Sequence, residues 1–130
     1  MSLLGSFNQQ LLNLSTNLSK LYPEDPDLEF TNNSISILKK TNPRKLQQMF
    51  DHYVGKYKEQ IINKDASFFL LKDFIKDDLN LELNESNVDY AESIIYNLKK
   101  YWNDIDNESK ENIWKYLQVL IILNEKCSFI

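Results

Sequence analysis

An all-α fold, a compact bundle of about five or six helices around a buried C-terminal helix, is predicted by three observations. Apolar residues recur at three-and-four spacing along most of the chain. Turn chemistry is scarce, with two Gly (Gly5, Gly55) and three Pro (Pro23, Pro26, Pro43), too few for the many tight reversals of a sandwich or barrel. From Glu108 to Lys126, apolar groups cover nearly the whole helical circumference, the pattern of a helix with neighbours on every side. The 130 residues suit one domain, 1–130, and no repeat or linker divides it.

The elements follow in order. Leu3, Leu4, Phe7, Leu11, Leu14, Leu18 and Leu21 share one stripe, predicting a helix from Leu3 to about Lys20. The segment Tyr22-Pro-Glu-Asp-Pro-Asp27 breaks it, because two prolines cannot continue the hydrogen-bond ladder. Asp25 then caps a second helix with Pro26 at its first position, burying Leu28, Ile35 and Leu38; the poor helix formers Thr31 to Ser34 allow a start as late as Ser34.

Asn42-Pro43 repeats the cap-plus-proline signal and opens a helix predicted to run to about Ile62, with Gly55 off the stripe and tolerated at a cost of about 1 kcal/mol. Asp65 caps a shorter helix bearing Phe68, Phe69, Leu71, Phe74 and Ile75, whose aromatic content predicts deep burial. Leu79, Leu81 and Leu83 alternate with polar residues, the period of an extended connection. A capping box at Ser86 opens a helix carrying Val88, Ala91, Ile94, Ile95, Leu98 and Trp102, and Asn107 caps the last helix.

Composition excludes several classes. Hydrophobic residues are 42% and charged residues 26% of the chain, which is the range of folded globular domains. The longest apolar run, Val119 to Leu123, is too short to span a bilayer, and the N-terminus lacks the basic start of a signal peptide, so no membrane partner and an intracellular location are expected. One cysteine (Cys127) and one histidine (His52) leave neither a disulfide framework nor a Cys/His zinc site. Five Asn-x-Ser triplets (Asn13, Asn17, Asn32, Asn84, Asn107) follow from the abundance of Asn rather than from glycosylation.

Charge is unevenly placed. Residues 35 to 64 carry seven bases against two acids, while residues 65 to 109 carry four bases against eleven acids. Lys39, Lys40, Arg44 and Lys45, with Lys56 and Lys58 further along, form a candidate phosphate or nucleic-acid surface. A pI near 5.0 and a single Arg disfavour it. The series Asp78, Asn80, Glu82, Asn84, Ser86, Asp89 has the spacing of a calcium loop, but Leu83 stands where that loop needs Gly and Asp89 is too short for the bidentate Glu. His52 has no pairable nucleophile, the glycines are isolated, and carboxylate pairs such as Asp73 and Asp77 suit a solvated surface. No enzyme activity and no cofactor are expected.

Two stretches, LKKTNPRKLQQMFDHYVGKYKEQIINKDASFFLLKDF (38–74) and YWNDIDNESKENIWKYLQVLIILNEK (101–126), resemble small uncharacterised proteins of large nucleocytoplasmic DNA viruses, the mimivirus-like giant viruses. The 15 Asn, 12 Ile and 14 Lys are similar to the bias of their A/T-rich genomes. The resemblance implies a viral origin and a virion-associated or host-interacting protein in virion or host cytoplasm, and transfers no functional residue. The expected function is therefore a non-enzymatic protein-protein interaction module, with a protein partner or self-association. Its candidate surface is the aromatic segment Phe68, Phe69, Phe74 with its acidic continuation Asp77 and Asp78.

Overall fold

In the computed structural model of the chain, residues 2–71 and 90–128 are described. Ser2 accepts the Gly5 amide at 2.9 Å and opens α1 (Leu3–Leu21), which buries Phe7, Leu11, Leu14 and Leu18. Asp25 accepts the amides of Asp27 and Leu28 and opens α2 (Pro26–Thr41). The weak stretch does not delay this helix to Ser34. Thr31 is buried and its hydroxyl lies 2.8 Å from that of Ser93, so tertiary contact overrides propensity there.

The helix predicted from Pro43 to Ile62 is in fact three pieces: α3 (Pro43–Tyr53), a 3-10 turn (Gly55–Tyr57) and α4 (Lys58–Ile62). Gly55 is the cause. It is a weak helix former, and a Cβ there would lie 3.2 Å from Asp51 Oδ1 and 3.4 Å from Asn124 Nδ2. The apolar stripe survives the break, with Leu46, Phe50, Tyr57 and Ile61 all buried.

Lys64 follows with a left-handed φ of 53°, and Asp65 accepts the Phe68 amide at 3.1 Å to start α5 (Ala66–Leu71). Here a second expectation fails, because no residue of α5 is fully buried and Leu71 is 86% exposed. Six residues give one face to the core and leave the other open. The proposed extended segment, Phe74, Ile75 and the Ser86 capping box lie outside the described residues.

The chain continues as α6 (Tyr90–Tyr101), a 3-10 turn (Trp102–Asp104) and α7 (Asn107–Ser128). Asp106, not Asn107, supplies the cap of α7: its carboxylate accepts the Ser109 amide at 3.2 Å, and its hydrogen bonds to Ser109 hold its pKa low. Every described secondary-structure element is helical.

Helix α1 packs on α7, α2 and α3; α7 also lies against α3 and α4, while α2 also packs on α3 and α6. Ile113, Leu117, Leu120, Ile121 and Cys127 point into a core shared with Phe7, Ile35, Leu46 and Ile61. Each such side chain contributes roughly 1.5–3 kcal/mol through burial. The bundle leaves one stripe of α7 open, where Val119 and Ile122 are exposed.

Candidate functional site

The aromatic segment lands at the edge of the core. Phe68 and Phe69 are half-buried, with ring centroids 5.6 and 5.7 Å from that of Tyr57. Phe69 also meets Trp114 at 6.3 Å, and Trp114 meets Trp102 edge-on at 5.4 Å. Lys110 sits 5.3 Å above the Trp102 ring, a cation–π contact at the rim.

Between α5, α6 and α7 these rings leave a narrow recess of about 40 Å³. Phe69, Leu70, Ile95, Leu98, Trp102, Trp114 and Leu117 line it, and Lys99 is its charged edge. That volume admits the tip of one apolar side chain and is too small for a substrate-sized ligand. Of the five residues predicted for this surface, Phe68 and Phe69 are at the recess or beside it; Phe74, Asp77 and Asp78 lie outside the described residues.

The basic residues do not form one surface. Lys39 and Lys40 end α2, and Arg44 and Lys45 begin α3, so these four surround a single helix junction. Lys56 and Lys58 lie beyond the far end of α3, where Lys56 sits 5.2 Å over the Tyr57 ring and Lys58 pairs with Glu125. Cys127 is buried nearby. Burial pushes its thiol pKa up, with Arg44 opposing weakly, so it is an inert core thiol.

Sequence reasoning missed a buried polar cluster at Asp25. Asp25 is buried at the turn between α1 and α2, and its Oδ2 accepts from the Tyr101 hydroxyl and from Lys100 Nζ at 3.1 Å. Tyr22 stacks on Tyr101 with centroids 3.8 Å apart. The Tyr101 hydrogen bond is the main reason the Asp25 carboxyl is lowered to about 2; burial opposes it, while Lys100 and the capping amides assist. An acid so strong is a poor general base near neutrality, and the cluster reads as a clamp between the α1–α2 turn and the end of α6. Its only sequence signal was the cap itself.

A second network crosses the core. Gln47 Nε2 donates to Asn124 Oδ1 at 2.8 Å, and Asn124 Nδ2 donates to Asp51 Oδ1 at 2.9 Å beside Gly55. His52 is exposed and meets the Tyr53 ring edge-on. Among the described residues, no group of three or more His, Cys, Asp or Glu could hold a metal ion, and the calcium-like spacing falls outside them. No helix among the described residues is long and apolar enough to cross a membrane. Comparison with known protein families, with curated proteins and with solved structures finds no match to this chain.

Proposed function

We propose that the chain is a non-enzymatic protein-protein interaction module that takes an apolar side chain of its partner into the recess between α5, α6 and α7. The observation that carries this reading is the apolar, aromatic lining of that recess by Phe69, Trp102 and Trp114. Large aromatics at a surface depression are the usual anchors of protein interfaces. The charged groups at the rim of the recess among the described residues are Lys99 and Lys110, so the matching partner segment presents an apolar anchor flanked by acidic residues. The giant-virus resemblance supports a virion-associated or host-interacting role for such a module.

Affinity purification from source or infected cells with wild-type, Leu70→Asp and Lys45→Glu baits tests it. The reading predicts a partner held by wild type and Lys45→Glu and lost by Leu70→Asp. Equal recovery by all three, or none by wild type, contradicts it.

A second reading rests on the four cations around the α2–α3 junction, none of which has an ion-pair partner among the described residues. They suit a phosphate or nucleic-acid backbone. Salt-dependent oligonucleotide binding, lost on charge reversal at Lys39, Lys40, Arg44 and Lys45, would favour it over the recess.

A further inference from the structure

The outward face of α2 carries two large apolar side chains that the fold does not use. Phe30 is 68% exposed and Ile37 60% exposed, two turns apart on one stripe, while Leu28, Thr31 and Ile35 bury the opposite side against the bundle. Asn33, between them, is also exposed. The face has a charge polarity as well. Exposed Glu29 flanks it near the start of the helix and exposed Lys40 flanks the same side near the end.

These features are symmetric about the midpoint between Asn33 and Ser34. Phe30 stands as far before that point as Ile37 stands after it, and Asp27 as far before it as Lys40 after it. A helix with this pattern is complementary to its own antiparallel copy. We propose that α2 is a homodimer surface, joined to α2 of a second copy across a two-fold axis near Asn33 and Ser34.

In that arrangement Phe30 packs against Ile37 of the second copy, and the reverse contact forms at the other end. Lys40 reaches Glu29 of the second copy on the same flank of the seam, and the two helix dipoles run in opposite directions. Glu29 and Lys40 are exposed and have no ion-pair partner among the described residues. Charge complementarity therefore selects a second copy over an unrelated apolar partner. A single helix pair about 24 Å long buries an area near or below the small end of specific interfaces, roughly 1,200 Å², so association depends on concentration.

Sedimentation velocity from about 10 µM to about 1 mM tests this. The expected result is a mass rising from 15.4 kDa toward twice that value for wild type. Phe30→Asp and Ile37→Asp stay monomeric, with helical circular dichroism unchanged. Lys40→Glu weakens association about fivefold or more, and Glu29→Lys combined with Lys40→Glu restores it. Asn33→Cys, beside the symmetry axis, forms a disulfide-linked dimer on mild oxidation, whereas Gln48→Cys on another exposed surface does not. A monomer at every concentration would overturn the proposal. So would a dimer indifferent to Phe30→Asp and Ile37→Asp, or a double charge variant that stays weak. The recess variant Leu70→Asp leaves this association intact, which separates the outcome from that of the partner-binding reading.

Discussion

Tyr101 donates its hydroxyl proton to a carboxylate 76 residues earlier, Asp25, which at the same time caps α2 with its other oxygen. One side chain thus starts a helix and fastens the α1–α2 turn to the end of α6. Removing it loses both functions. Asp25→Ala is expected to cost about 2–3 kcal/mol, a cap plus a charge-assisted hydrogen bond, and Tyr101→Phe about 1–2 kcal/mol. Urea unfolding of the three proteins measures the differences.

The same clamp sets an acid limit on stability. Asp25 titrates at about 2 in the folded chain against 3.8 for the unperturbed group, so the unfolded state binds the proton more tightly. Its stabilisation is complete above the unfolded value and is lost as pH falls from about 4 toward 2. Asp106 is shifted in the same direction. Urea unfolding followed from pH 6 to pH 2.5 should show stability falling with acid, with a shallower slope in Asp25→Asn. Equal slopes in the two proteins would refute the assignment.

Lys64 holds a left-handed backbone conformation that favours glycine. Its ion pair with Glu111 spans 2.8 Å between two exposed side chains and contributes little. Lys64→Gly is therefore expected to raise stability by about 0.5–1 kcal/mol, read as a higher urea midpoint with an unchanged slope.

On α7, two neighbouring turns should respond very differently. Asn124 is 4% exposed and joins buried Gln47 to exposed Asp51, so Asn124→Ala takes the partner of the buried Gln47 amide away and should cost about 1–3 kcal/mol. Val119 is 41% exposed, and Val119→Ala should change stability by less than about 0.5 kcal/mol. Thermal unfolding of both variants decides the point.

How much of this was legible beforehand follows from the range of each signal. The Asp25-Pro26 cap, the Pro43 start and the Asp65 cap are local patterns, and each is found where the spacing put it, whereas α7, expected to have neighbours on every side, buries one face and leaves Val119 and Ile122 exposed. The break at Gly55 was not legible, because the apolar stripe runs on through it and one glycine costs a helix little, while the approach of Asn124 that crowds a Cβ there comes from α7. Nor was the exposure of α5, since aromatic content says nothing about how many sides of a six-residue helix find neighbours. The Asp25 clamp escaped because its partners are 75 and 76 residues away, and Asp25 already had a local role as a cap. For the candidate site, Phe68, Phe69, Trp102 and Trp114 stand out in the sequence as aromatics, whereas the meeting of Phe69, Trp102 and Trp114 with Leu70 at one recess follows only from packing.

The account rests on α7 as the core helix whose inner face packs against α1, α3 and α4, leaving recognition to the exterior. Native-state amide hydrogen exchange resolved by residue measures this directly. Amides of Leu117, Leu120, Ile121 and Asn124 should exchange only through global unfolding and report the largest opening free energies in the chain. Exchange of those amides at the rate of the frayed helix ends would contradict it.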